Sequence, residues 1–214
     1  MAAEVDSRTA RKRRQILEAA RPVFLRNGYV GTSMDEVAAL AAVSKQTVYK
    51  HFTDKEQLFA SIVLDTTGQI EELAKMVTTA LDDTADLRAG LGELARRFLG
   101  AILRPEVLRL RRLVIAEAER FPDLGRTWYE QGFQRSLDTL AGSFERLAQR
   151  GLLRLDDPQQ AAEHFVGLLL WIPLNKVMFW GGHDHYTEAD LRQLSEAAVT
   201  AFLRGYGPAS ADTA

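Results

Sequence analysis

The ten residues VSKQTVYKHF, Val43–Phe52, gather two lysines, a histidine, a glutamine, a serine, a threonine and a tyrosine in a stretch short enough for one helix. The chemistry this set offers is polar recognition. On a helical wheel Val48 and Phe52 point one way and Gln46 and Lys50 the other, with Thr47 and Tyr49 flanking the outward face. In a DNA major groove an amide pairs with adenine and an ammonium with guanine, while hydroxyls, rings and cations grip the phosphates that set register. Gln46 and Lys50, with the hydroxyl and methyl of Thr47, are therefore candidates for base edges, and Tyr49, His51 and Lys55 for phosphates. Tyr49 and His51 have a second reading, as packing residues with their polar tips in water. Thr32, Ser33, Ser44 and Lys45 complete the DNA-contacting set, and the free amides at the helix starts near Ser33 and Lys55 add anion sites.

One other cluster carries ligating groups. GGHDH, Gly181–His185, places two imidazoles and a carboxylate within three residues. Without a further His or Cys in an obvious second element to complete a metal site, the stretch reads as a polar loop, and no metal or cofactor is expected. His164, among apolar neighbours, reads as a packing residue. The chain lacks G-x-S-x-G, H-E-x-x-H and a phosphate-cradling Gly-rich loop, so no catalytic residue is assigned.

The elements that must carry the recognition stretch are helical. Ile16, Leu17, Ala20, Val23 and Phe24 form one apolar stripe, preceded by the basic arm Arg11–Arg14 and stopped by Asn27 and Gly28. In TSMDEVAALAA, Ser33 is an N-cap with Glu36 placed for a capping box, and Met34, Val37, Ala38 and Ala41 share a face. Ser44 caps the third helix, and Asp54 with Gln57 opens a fourth. The second and third helices, joined by a tight turn, make a helix-turn-helix unit.

Charge divides the chain in the same place. Up to Lys55 there are ten Lys and Arg against six Asp and Glu, a balance of +4, and the rest carries −6. A basic head on an acidic body fits a head that faces a polyanion. The 214 residues contain no cysteine, which suits a reducing cytoplasm and excludes disulfides and thiolate metal sites. The charged N-terminus, MAAEVDSRTARKRRQ, is unlike a signal peptide, and no membrane association is expected.

The segment TSMDEVAALAAVSKQTVYKHFTDKEQLFASIV, Thr32–Val63, resembles the DNA-binding domain of the tetracycline-repressor (TetR) family of bacterial regulators. The resemblance runs from about Ala10 to Leu64. It implies DNA contacts at Thr47, Tyr49, His51 and Lys55. One departure is Ala42, where the family often has glycine; a positive φ there would cost alanine on the order of 1 kcal/mol. Helical periodicity along nearly the whole chain predicts an all-α protein of about nine helices, which resembles the family layout: a three-helix DNA-binding domain over 1–55, its first nine residues disordered, an effector-binding and dimerisation domain over 56–206, and a flexible tail over 207–214.

In the body, FVGLLLWIPLNKVMFW is apolar all round its helix, so it must be covered on more than one side. It is too short and too interrupted to span a membrane. Leu168, Trp171, Ile172 and Val177, with Leu191, Leu194, Ala198 and Phe202 of the last helix, are the expected homodimer face, as the resemblance also implies. Phe98, Ile102, Trp128, Tyr129, Phe133 and Phe165 either line a cavity for a small apolar or amphipathic effector or form core, with Arg96, Arg97 and Glu117 near enough in sequence to add polar contacts. The expected function is an effector-released repressor on a palindromic operator. The rivals are an effector-independent DNA-binding protein and an all-helical module or enzyme that does not bind DNA.

Overall fold

The computed structural model describes residues 2–82, 84–180 and 186–208, and no strand occurs among them. Ten α-helices and one π-helical segment follow in order. These are α1 (Ala2–Gly31), α2 (Met34–Leu40), α3 (Lys45–His51), α4 (Lys55–Asp82), α5 (Leu87–Ile102), α6 (Pro105–Glu117), α7 (Pro122–Thr127), the π segment (Trp128–Gln134), α8 (Arg135–Gln149), α9 (Pro158–Trp180) and α10 (Glu188–Tyr206). The run from α7 through α8 has no intervening turn, so the described residues form nine helical stretches. α6, α7 and α9 each begin on a proline, which a helix tolerates in its first turn. α1 begins at Ala2, so helical backbone covers residues 2–9, where disorder is expected from sequence. Gly181–His185 and residues 209–214 of the expected tail lie outside the described residues.

The chain forms two compact units. One comprises Met1–Thr66 and Arg109–Trp128, the other Thr67–Leu108 and Tyr129–Ala214. The first unit thus extends past Lys55 by one further helical stretch and takes in α6 and α7 from far along the chain. Ile16, Ala20, Val23 and Phe24 of α1 are fully buried, as their stripe requires. They pack with Val37, Val48, Phe52 and Phe59, and with Leu110, Val114 and Leu124 of the distant segment. Phe24 and Phe59 stack at 5.0 Å, Tyr29 lies 5.5 Å from Phe59, and Phe121 lies 4.7 Å from Tyr29. Helical geometry in α1 breaks at Gly28, whose φ of 69° only glycine adopts without strain.

The turn between α2 and α3 is a Schellman motif closed by the wrong residue. Ala42 N–H donates to Ala39 O at 3.1 Å and Val43 N–H to Ala38 O at 3.0 Å, the paired bonds that end a helix with a left-handed residue. That residue is Ala42, at φ 51°. α8 ends the same way on Gly151, at φ 74°, where no Cβ is strained. Ala42→Gly should therefore raise unfolding free energy by about 1 kcal/mol, the left-handed penalty less the extra freedom glycine brings to the unfolded chain. Urea unfolding of the two proteins side by side measures it, and an unchanged or lower midpoint would mean the turn is unstrained.

The second unit is a helical bundle around Phe144, Phe165 and Phe202, whose rings meet at 5.0 to 5.6 Å. Leu94, Leu99, Leu140, Leu147 and Leu169 fill the space around them. α9 continues through Pro173, which is buried. In the π segment Gly132 lies against α4, where a Cβ would come within 2.9 Å of Thr67 Cγ2. α10 opens with a complete capping box between Thr187 and Asp190.

Candidate nucleic-acid interface

α3 is fixed from below and capped at its start. Val48 and Phe52 are fully buried in the first unit, and Ser44 Oγ accepts the amide of Thr47 at 3.1 Å. The same oxygen lies 2.8 Å from Thr47 Oγ1, so the threonine hydroxyl is shared with the cap. The face opposite Val48 is left open. Gln46 and Lys50 are exposed and have no partner within the chain among the described residues, and Tyr49 is 44% exposed. His51 is half-buried beside the Phe52 ring; that burial, with Lys50 and Arg13 nearby, holds its imidazole below the ordinary histidine value.

The remaining candidates are committed inside the fold. Lys45 Nζ lies 2.8 Å from Asp35 Oδ1, and this pairing raises its affinity for a proton. Thr32 is buried, its hydroxyl donating to Gly28 O at 2.7 Å. Lys55 Nζ donates to Val30 O at 3.2 Å and Thr32 O at 3.1 Å and sits 4.8 Å over the Tyr29 ring. Its ammonium thus closes the end of α1 and keeps one of its three donors for another acceptor.

The expected capping boxes form only in part. Ser33 Oγ accepts the Asp35 amide at 3.2 Å, but Glu36 does not return to Ser33. Its carboxylate binds Arg26 and takes the Asn27 amide at 2.7 Å, because a cationic partner from α1 outbids a neutral backbone N–H. Asp54 Oδ1 accepts the Gln57 amide at 2.7 Å, whereas Gln57 Oε1 reaches one residue further, to Thr53 N–H, at 2.6 Å.

Two α1 residues position the turn and recognition helix: Gln15, which carries no signal in the sequence, and Arg13, which reads there only as part of the basic arm. Gln15 Nε2 donates to Ala41 O at 2.7 Å, at the end of α2. Arg13 Nη2 donates to Ser61 Oγ at 3.0 Å while its guanidinium lies 5.0 Å over the Phe52 ring. These contacts span 26 and 48 residues, so no local spacing announces them. They leave Arg11, Lys12 and Arg14 exposed on the same helix.

In the second unit the sequence candidates separate. Leu168, Trp171 and Ile172 form an open stripe on α9, Trp171 at 70% and Ile172 at 68% exposure, and it continues to Phe179 and Trp180, which sequence reading omitted. Of the other candidates for that face, Val177 is buried, Leu191, Ala198 and Phe202 are buried in the unit's own core, and Leu194 is half-buried against it. A helix apolar on all sides gives no period to say which side turns inward, and Phe202 is held by its rings with Phe144 and Phe165.

The six effector candidates also divide. Phe98 and Phe165 line a cavity among α4, α5, α8 and α9, which leaves about 20 Å³ open to the centre of a water-sized sphere. Ile102 and Phe133 pack on the core outside it, and Tyr129 is exposed, 5.6 Å from Phe133. Trp128 packs against the core of the first unit and does not line this cavity. Arg96 and Arg97 both bind Glu93. The rest of the lining, Leu73, Ala74, Thr78, Leu94, Ser136, Leu140 and Val166, carries no aromatic signature to mark it in the sequence.

Among the described residues, no helix is long and apolar enough to cross a membrane, and no cluster of three or more ligating side chains is present. Residues 16–62 match the family described as bacterial regulatory proteins, tetR family, and residues 89–208 match the AefR-like transcriptional repressor C-terminal domain. The chain is 49% identical to a solved TetR-family transcriptional regulator structure from Mesorhizobium loti MAFF303099, with a TM-score of 0.90 over 94% of this chain and 98% of that one. It is 31% identical to the flavonoid-responsive regulator FrrA, with a TM-score of 0.73 over 94% of this chain and all of that one. Against the HTH-type transcriptional regulator YhgD of Bacillus subtilis (strain 168) it is 30% identical over 167 residues, 76% of this chain and 82% of the other. The chain belongs to the TetR family of bacterial regulatory proteins and is a helix-turn-helix, DNA-binding regulator of transcription.

Proposed function

We propose that the protein is a cytoplasmic homodimeric repressor that holds an approximately palindromic operator and leaves it when a small apolar or amphipathic effector enters the second unit. The observation that carries the DNA reading is the anchored helix α3, with Gln46, Tyr49 and Lys50 open on the side opposite Val48. Two such helices on a two-fold axis can enter successive major grooves about 34 Å apart. The match to a repressor C-terminal domain supports the sign of regulation, and the exposed stripe on α9 supports the homodimer.

Division of labour on α3 supplies the test. Lys50→Ala or Gln46→Ala should change which operator variants bind, with about 1–3 kcal/mol lost at the base pair concerned. Tyr49→Phe should weaken all variants alike. Binding of a randomised-operator library to the three proteins separates the outcomes; an unchanged preference in both Lys50→Ala and Gln46→Ala would remove α3 from base reading.

Release by an effector requires linkage: operator DNA must weaken effector binding by the factor by which effector weakens DNA binding. A second reading, DNA binding without an effector, is favoured by the small cavity volume. Titration of a candidate effector with and without operator decides between them, since equal affinities leave no coupling for regulation to use.

A further inference from the structure

The cavity of the second unit has a chemical character that its volume does not convey. Its wall is almost wholly apolar, made by side chains such as Ala74, Leu94, Phe98 and Phe165, and Thr78 and Ser136 are its two hydroxyl-bearing residues. No charged side chain lines it among the described residues. Both hydroxyl residues are buried. Thr78 Oγ1 donates to Ala74 O at 2.9 Å and to Lys75 O at 3.0 Å, and Ser136 Oγ donates to Gly132 O at 2.7 Å.

A hydroxyl has one hydrogen, and here both hydrogens are already spent on carbonyls of the preceding helical turn. What each oxygen still offers is a lone pair. A guest that brings a hydrogen-bond donor is matched without disturbing the wall. One that brings only an acceptor must turn a hydroxyl away from its carbonyl, and a carboxylate or phosphate must shed its hydration with no cation to replace it.

We infer that this cavity takes an uncharged aromatic ring bearing a hydroxyl that donates to Ser136 Oγ or Thr78 Oγ1. The inference rests on the effector reading above and narrows it to phenol-like compounds. The response of FrrA to flavonoids is a property of that protein and is consistent with this class. About 20 Å³ of centre space holds roughly one or two waters, so a ring enters with adjustment of the wall. Leu73 and Phe98, only partly buried, are the lining residues with room to move.

The test uses the full chain and three probes of similar size: phenol, anisole and benzoate, titrated calorimetrically at pH 7. Phenol should bind, anisole about fivefold more weakly because its oxygen only accepts, and benzoate should give no binding heat. In a Thr78→Val, Ser136→Ala double variant, the phenol-to-anisole ratio should fall close to one while anisole affinity is kept; the retained anisole binding certifies the fold, and each single variant should lower the ratio part of the way. Benzoate binding as tightly as phenol, equal phenol and anisole affinities in the unsubstituted protein, a ratio that survives the double substitution, or no binding by any probe at millimolar concentration would each overturn the assignment. Fluorescence polarisation of its own promoter DNA keeps the two readings apart. Phenol that binds with the expected ratio yet leaves DNA affinity unchanged defeats release by effector and leaves the cavity's ligand class standing.

Discussion

Trp171→Asp should split the proposed homodimer into monomers and lower operator affinity by more than about a hundredfold, because a single head loses the second half-site and the local concentration that comes with it. Trp171 is 70% exposed on α9, beside Leu168 and Ile172 and in line with Phe179 at 84%. A run of large apolar side chains on one helix face is the kind of contiguous patch that marks an interface. Placing a carboxylate there strands an unpaired charge in the middle of the contact, where desolvation outweighs anything its neighbours offer. Sedimentation of the variant gives the oligomeric state, and a gel shift on a palindromic promoter fragment gives affinity. A variant that stays dimeric at micromolar concentration would move the interface off this stripe.

Phe59→Ala should destabilise the first unit by about 3–5 kcal/mol and abolish DNA binding through unfolding, with no effect on groove contacts as such. Phe59 is fully buried, stacks on Phe24 and touches Tyr29, so truncation opens a cavity bounded by two rings that its helices cannot easily close. For a unit whose whole stability is on the order of 5–15 kcal/mol, that loss is decisive. Urea unfolding followed by tryptophan fluorescence and circular dichroism, read beside DNA affinity, checks it. A loss under about 1 kcal/mol would mean that the aromatic cluster repacks.

Much of the head is legible in its residues because the governing interactions are local. Ser33, Ser44 and Asp54 each cap the helix they precede, and the strain suspected at Ala42 is present as a positive φ. What is hidden is decided by partners far away in sequence. Glu36 stands where a capping box needs it, yet Arg26 and Asn27 claim its carboxylate. Lys55 has the type and place of a phosphate ligand, and two carbonyls hold it. On α9, Trp171 and Ile172 face out while Val177 is buried, and an all-apolar helix encodes no such direction in its sequence. Trp128 is bulky enough for a cavity wall, but bulk alone does not distinguish wall from core.

The membership of α6 and α7 in the first unit has a consequence during synthesis. The core around Phe24 and Phe59 also contains Leu110, Val114 and Leu124, so the recognition unit is assembled from two separate pieces of the chain, Met1–Thr66 and Arg109–Trp128. A ribosome releasing the chain from its N-terminus exposes α1 to α3 long before Leu124 emerges, and during that interval their apolar faces stay uncovered on one side. The nascent head is therefore a client for chaperones until more than half the protein is made, and a truncated N-terminal fragment inherits that unfinished state permanently.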